Sequence, residues 1–319
     1  MNKLNPNLKD LIYFLRRMIF DNYAYLKDDA GKFIIHRFEG DAFPSAYKCF
    51  LVHSLNGSFD TGDGTLLPER FVVKVTDEQE CKLLFSLKRN GFSVPQMIYM
   101  IPGAVSEHSS DVLMFQEYIE GREIWKTNDI NLWKMLVKNY SIIQLLFWDK
   151  VQLPDTEPFK IRLHNAQNAC VYDKRLTETV LKAKTRVESL PKAFNHGDLF
   201  ATNAIFTNND VYIIDWKDAG LCYYLQDICR LTSTLNQKTN KLFCPCPEEV
   251  VNEYYECIQN TICKNKEDFL QDIYAGQFIE LAAYYEPENL IEQNRSDEDR
   301  MFSRAHKMKL LELADKMGL

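Results

Sequence analysis

Asn195-His196-Gly197-Asp198-Leu199-Phe200-Ala201-Thr202-Asn203, followed by Ile213-Ile214-Asp215-Trp216, is the stretch on which the reading of this chain turns. Between the two segments, Ala204-Ile205-Phe206 and Val211-Tyr212-Ile213 are rich in strand formers and flank Thr207-Asn208-Asn209-Asp210. Those four residues form a hairpin turn, because Asn and Asp tolerate turn backbone and bond to it. With the turn centred near residue 209, positions summing to about 418 face each other, which sets Asn203 roughly opposite Asp215. A carboxylate and a carboxamide oxygen at one end of a hairpin make a hard-oxygen pocket suited to Mg²⁺, which takes few protein ligands and completes its shell with phosphate oxygens. Asp198 lies one loop earlier. It is not needed as a ligand, so it is left to orient an attacking hydroxyl.

The spacing fits a phosphoryl-transfer template, in which a loop Asp accepts the acceptor's proton, an Asn five positions later binds metal, and a downstream Asp binds metal too. Protein kinases write it H-R-D-L-x-x-x-N and then D-F-G. This chain has H-G-D-L-F-A-T-N and then I-D-W. With Gly197 in place of Arg and Ile-Asp-Trp in place of Asp-Phe-Gly, it resembles the aminoglycoside phosphotransferase and choline kinase-like family, relatives of the protein kinases. The resemblance extends over nearly the whole chain. It implies an α+β, two-lobed protein kinase-like fold: a nucleotide-binding lobe over residues 1–115 with a small antiparallel sheet, a hinge at 116–121, and a mostly helical catalytic and substrate-binding lobe over 122–319.

Further roles follow from the same resemblance. Val72-Val73-Lys74-Val75 looks like the strand whose Lys holds the nucleotide phosphates, and Lys74 is a lone cation in an apolar strand. Glu80 occupies the position of the helix Glu that pairs with it. Glu78 is its competitor, but the two project about 200° apart on a helix and only Glu80 shares a face with Leu83, Leu84 and Leu87. Phe115-Gln116-Glu117-Tyr118-Ile119 resembles the hinge strand, which implies the Glu117 carbonyl and the Ile119 N–H as adenine partners, with Met114 lining the adenine pocket. The segment from Glu39 to Tyr47 has one glycine, so the G-x-G-x-x-G of protein kinases is missing. Its backbone and the Ser45 hydroxyl contact phosphate, or it is an ordinary hairpin loop. His196 is read as a structural brace of the loop, and Asp227 matches a helix Asp that braces the same loop. Asp218 reads as a solvated turn residue.

Working outward, the 319 residues are 46% apolar and 26% charged, as in ordinary globular proteins. A net charge of −7 disfavours nucleic acid as partner, since phosphates must be met by positive surface. No run is long and apolar enough for a membrane span. The stretch from Leu11 to Phe20 is broken by Arg16 and Arg17 and reads as a packed helix rather than a signal peptide. Nine cysteines, an odd number, read as reduced thiols of a cytoplasmic protein. Cys244-Pro245-Cys246 has no second pair at zinc spacing and reads as a loop. No Walker motif occurs, which argues against a P-loop enzyme.

Residues 1–30 read as helical. Strands are expected at 32–38, 47–53, 70–75, 94–101 and 112–119, and helices at 77–90, 131–148, 175–189, 248–263, 267–285 and 297–317. The excess of acid lies mainly late in the chain: 13 Lys and Arg against 15 Asp and Glu up to residue 119, and 25 against 30 beyond it. The late helices interleave Glu253, Tyr254, Tyr255 and Glu256, then Glu280, Tyr284, Tyr285, Glu286 and Glu288. Carboxylates and aromatic faces suit ammonium groups, and the family uses this region for amino sugars or choline.

The expected activity is therefore transfer of the γ-phosphoryl group of ATP (or GTP), with Mg²⁺, to a hydroxyl of a small cationic molecule. The acceptor is an aminoglycoside-type antibiotic or related amino sugar, which would make the chain an antibiotic-resistance enzyme, or alternatively choline or another metabolite alcohol. The rivals are a protein kinase, disfavoured by the missing A-P-E segment and activation loop, and a pseudokinase scaffold, disfavoured because the base and metal positions are all filled.

Overall fold

The computed structural model describes residues 5–20, 25–27, 31–38, 49–103, 111–148, 157–288 and 296–318. The chain divides into two compact units, Met1–Gly121 and Arg122–Leu319. Among the described residues no helix is long and apolar enough to cross a membrane.

The first unit opens with α1 (Pro6–Phe20), whose Leu8, Leu11, Ile12, Leu15 and Met18 recur at helical spacing and are all buried. Strands β1 (Tyr25–Lys27), β2 (Phe33–Arg37) and β3 (Cys49–Ser54) follow, then the short pair β4 (Phe59–Asp60) and β5 (Leu66–Leu67). Next come β6 (Arg70–Thr76), α2 (Glu78–Arg89), β7 (Met97–Pro102) and β8 (Val112–Glu117). The main sheet has the order β1-β2-β3-β6-β8-β7, antiparallel throughout. Its inner face, with Phe33, Ile35, Phe50, Val52, Phe71, Val73 and Phe115, packs with the buried face of α1 into one core. Residues 1–30 are therefore not all helical: Tyr25, Leu26 and Lys27 pair with His36, Ile35 and Ile34, because the edge of β2 offers backbone partners that an isolated helical turn would lack. Ser45 and the rest of the expected phosphate loop lie outside the described residues.

The second unit contains β9 (Arg122–Glu123), α3 (Ile130–Leu146), α4 (Glu157–Cys170), α5 (Lys174–Glu188), β10 (Lys192–Asn195), β11 (Ala204–Phe206), β12 (Val211–Ile213), β13 (Gly220–Tyr223) and α6 (Gln226–Ser233). It ends with the pair β14 (Leu235–Asn236) and β15 (Lys241–Leu242), then α7 (Pro247–Ile262), α8 (Lys266–Ala282) and α9 (Asp297–Lys316). Helix α4 was not anticipated from sequence, whereas α6 is the helix on which the family resemblance places Asp227. A buried polar hub ties helices to strands: Gln144 Nε2 on α3 donates to the carbonyls of Phe194 at 3.1 Å and Tyr224 at 2.9 Å, and Gln144 Oε1 accepts from Tyr254 Oη on α7 at 2.6 Å. That hub anchors the end of β10, from which the 196–203 loop springs. The nine cysteines are free thiols.

Candidate active site

In the first unit, Lys74 points from β6 at the first turn of α2. Its Nζ lies 2.7 Å from Glu80 Oε1 and 2.8 Å from Oε2, and the Glu80 side chain is 1% exposed. Thr76 Oγ1 also donates to Glu80. The helix begins where it does because Asp77 Oδ1 accepts the Glu80 N–H at 2.9 Å, which satisfies a first-turn donor. Glu78 instead pairs with Lys82 at the surface. Met114 is fully buried and registers with Lys74 on β6 and Met100 on β7. The Glu117 carboxylate accepts from Lys88 Nζ at 3.3 Å and from the Gln96 N–H at 3.1 Å, and Ile119 is buried.

In the second unit the 196–203 loop is held from below by Asp227 on α6. The buried Asp227 carboxylate accepts from the backbone N–H groups of His196 at 2.6 Å, Gly197 at 3.4 Å and Leu199 at 3.3 Å. His196 is fully buried. Its Nδ1 accepts from the Asp198 N–H at 3.2 Å, which leaves Nε2 to donate to the Ile214 carbonyl at 2.9 Å. The ring also packs on Trp216 at 4.5 Å. It links the loop to the segment carrying Asp215 and has no atom left over for proton transfer.

Gly197 has φ +85°, and a Cβ there would lie 1.9 Å from the Asp218 carbonyl oxygen. The loop and the turn after Asp215 thus touch backbone to backbone, which only glycine permits. The Gly197 carbonyl accepts from Arg162 Nη2 at 3.1 Å and Gln226 Nε2 at 3.0 Å.

Asp198 itself is 30% exposed. Asn203 Nδ2 donates to the Asp198 carbonyl at 2.9 Å and to Asp198 Oδ2 at 3.1 Å. Arg230 Nη2 lies 2.5 Å from Asp198 Oδ1. The hairpin register differs from the expectation by one. Ala204 faces Ile213 and Phe206 faces Val211, the Thr207 N–H bonds the Asp210 carbonyl, and the turn is centred between residues 208 and 209. Asn203 therefore opposes Ile214, whose N–H it accepts at 2.9 Å. Asp215 is one residue further, exposed and in left-handed backbone at φ 65°, ψ 60°, a conformation Asp tolerates better than most residues. Asp218 is exposed, yet partial burial of its carboxyl, and then the charges of Asp198 and Asp215, hold it above the usual carboxylate range. Three carboxylates therefore share one neighbourhood, although among the described residues no group of three or more His, Cys, Asp or Glu is placed to hold a metal by itself.

Two arginines were not singled out from sequence. Arg230 follows Asp227 by three positions and so shares its helix face, a spacing that was available to read. Arg162 lies on α4 and gave no signal. Its Nε is 3.0 Å from Glu280 Oε2. Burial alone would lower both guanidiniums, but nearby acids outweigh it and hold both above their ordinary range: Glu280 first for Arg162, Asp198 first for Arg230. Burial pushes the Glu280 carboxyl up. The acidic tally of the late helices is accordingly a correction. Glu280 is buried between the two arginines, Glu253 pairs with Lys134 and Lys138, Glu288 pairs with Arg304, and Tyr254 is internal. These carboxylates neutralise the protein's own cations.

A model of the phosphotransferase enzyme family matches residues 67–241, more than half of the chain, a span that runs from before Lys74 to beyond Arg230. The chain belongs to the phosphotransferase enzyme family. No curated protein sequence matches it. Among solved structures, this phosphotransferase is similar to a choline kinase from Cryptosporidium parvum Iowa II, at 13% identity over 98% of this chain and 95% of that one, with a TM-score of 0.56. It is similar to an amicoumacin kinase, hAmiN, in complex with AMP-PNP, Ca²⁺ and Ami, at 13% identity over 98% and 96%, TM-score 0.54. It is also similar to an aminoglycoside-3'-phosphotransferase of type VIII, at 14% identity over 84% and 98%, TM-score 0.51. The shared fold is kinase-like, an antiparallel sheet followed by a helical part.

Proposed function

We propose that this phosphotransferase moves the γ-phosphoryl group of ATP to a hydroxyl of a small molecule, with Asp198 as the base that orients and accepts from that hydroxyl. The observation that supports it most is the 196–203 loop. Asp227, His196 and Gly197 fix its backbone so that Asp198 and Asn203 meet side by side, close to Asp215 and Asp218. That much bracing of a partly exposed carboxylate suits catalysis by alignment.

Mg²⁺ fits the donor set. Asn203 spends its amide nitrogen on Asp198, so Oδ1 is the atom it has for a cation, and Asp215 adds a carboxylate. Such a sparse hard-oxygen pair suits an ion that takes one or two protein groups and completes its shell with phosphate. When bound there, the ion would neutralise charge developing on the transferred group. Lys74, oriented by Glu80, would bind the nucleotide phosphates. The Glu117 carbonyl and Ile119 N–H would meet the base, which is adenine, or guanine if GTP is the donor, and Met114 would line its pocket. Asp198 takes the hydroxyl's proton as the hydroxyl oxygen attacks the γ-phosphorus, and the bond from that phosphorus to the β,γ-bridging oxygen breaks to release ADP.

The acceptor proposed is a cationic alcohol, an aminoglycoside-type antibiotic or related amino sugar; a choline-type alcohol is the second reading. Support comes from the relatives, one named a choline kinase and another an aminoglycoside phosphotransferase, and from Asp218, the exposed carboxylate beside Asp198. The nine free thiols suit a cytoplasmic setting. The test is mass spectrometry of a panel of aminoglycosides, choline and neutral sugars incubated with Mg·ATP. The expected result is one phosphoryl group added to a cationic member, with a KM that rises with salt as exposed charges are screened over about 10 Å at 0.1 M. A neutral best acceptor with a salt-independent KM would remove the cation reading and leave the phosphotransferase.

A further inference from the structure

We propose that Arg230 is a positioning residue for phosphoryl transfer, a clamp that fixes the Asp198 carboxylate from the helix beneath the loop; this rests on Asp198 being the base. Arg230 lies on α6 with its side chain 12% exposed, and Nη2 reaches Asp198 Oδ1 at 2.5 Å. Asn203 Nδ2 donates to the other oxygen, Oδ2, at 3.1 Å. Both oxygens of the carboxylate are therefore held by donors from two different elements, which sets its rotation as well as its place.

The clamp is itself fixed. Arg230 Nη1 donates to Tyr284 Oη at 2.7 Å, and the guanidinium lies over the rings of Phe200 at 5.6 Å and Tyr284 at 5.4 Å. Its contact with Glu280 is long, Nη1 to Oε2 at 3.9 Å. A purely structural buried Arg would make its short, aligned contact with the buried counter-ion. Here the short contact goes to the loop carboxylate, and Glu280 serves as a background charge. Glu280 is in turn 3.0 Å from Arg162 Nε, and Arg162 Nη2 donates to the Gly197 carbonyl at 3.1 Å. The Arg162, Glu280 and Arg230 network thus grips two successive loop residues, Gly197 through its backbone and Asp198 through its side chain. A base displaced by 1 Å loses on the order of 10²-fold in rate, so a clamp on the base shows in turnover rather than in nucleotide binding.

The test is a double-mutant cycle of Arg230→Gln and Asp198→Asn. Turnover is read as phosphate release from Mg·ATP with water as acceptor, and with the best alcohol of the panel. Arg230→Gln alone is expected to lower kcat by about 10²-fold while the KM for ATP stays within about threefold, and Arg230→Lys to recover part of the loss. In the Asp198→Asn background the same substitution is expected to cost less than about twofold, because its effect passes through Asp198. Additive losses, or wild-type kcat in a folded Arg230→Gln protein, overturn the proposal. If Arg230→Gln does not fold, Tyr284→Phe removes only the hydroxyl that orients Nη1, at an exposed residue; a kcat reduced several-fold at unchanged KM is expected, and an unchanged kcat overturns it. A crystal structure of the Arg230→Gln protein with Mg·AMP-PNP reads the geometry without turnover: the Asp198 carboxylate should rotate away from its wild-type position, and an unmoved carboxylate overturns the clamp. Wild-type protein that binds nucleotide and transfers to no acceptor counts against the parent function instead, and the crystallographic comparison still decides the clamp.

Discussion

Gly197→Ala isolates the close approach on which the site depends. Glycine there has φ +85°, and the added Cβ would sit 1.9 Å from the Asp218 carbonyl oxygen and 2.6 Å from its carbon. A carbon and a carbonyl oxygen come no closer than about 3.3 Å, so about 1.4 Å of separation must be found. Neither partner can supply it by a side-chain rotation. Gly197 is tied by Arg162, Gln226 and Asp227, and the Asp218 turn runs into β13, which is paired with β10. The left-handed backbone costs an L-residue about 1–2 kcal/mol, and overpacking a fixed site adds about 1–3 kcal/mol. A loss near 3 kcal/mol is therefore expected. Gly57→Ala is the matched control, with φ +79° and nothing within 4 Å of its added Cβ, so it incurs only the first cost. Parallel urea denaturation should separate the two variants by about 2 kcal/mol, and phosphoryl transfer should fall by about 10²-fold in Gly197→Ala alone, since Asp198 must move with the loop. Equal stability losses would refute the steric account of why this position is glycine.

Three more predictions use other parts of the fold. His306 is buried, with Nε2 bonded to the Leu281 carbonyl at 2.9 Å, and burial lowers its pKa from 6.5 to about 4. The unfolded chain then binds the proton first, so about 3 kcal/mol of stability is lost as pH falls from 6.5 to 4; pH-dependent denaturation of His306→Leu should show a shallower slope in that window. Lys74→Met leaves the buried Glu80 carboxylate without its cation and should cost about 3 kcal/mol, whereas Glu78→Gln, at the exposed Lys82 pair, should leave the melting curve where it was. Trp216→Ala removes a ring stacked on Phe194 at 6.0 Å and packed on His196 and should cost about 3–5 kcal/mol in the same assay.

What was legible in the sequence was local or strongly periodic. Asp198, Asn203 and Asp215 stood out because a turn and two short strands fix where they fall, and Glu80 could be preferred to Glu78 because helical spacing gives each a face. The register error of one arose because turn residues alone leave the centre of a four-residue turn ambiguous: the Thr207 to Asp210 backbone bond decides it, and Asn139 on α3 donates to the Asp210 carboxylate and the Val211 carbonyl from outside the hairpin. The late carboxylates were misread for a related reason. Counting Glu280 and Glu253 as free charge assumes a solvated helix face, whereas Arg162, Arg230, Lys134 and Lys138 arrive from other helices to neutralise them. Helix α4 escaped notice because its apolar residues have weak helical periodicity. The role of α6 lies in Asp227 and Arg230, whose partners are more than 25 residues away.

The most direct test of the account is turnover by Asp198→Asn. The substitution keeps the size and shape of the side chain and removes the carboxylate. Phosphoryl transfer from Mg·ATP to the best acceptor of the panel, followed by mass spectrometry, should fall by about 10²-fold or more, while calorimetry shows Mg·AMP-PNP binding within a few-fold of wild type. Near-normal transfer by the folded variant would contradict the assignment of Asp198 as the base.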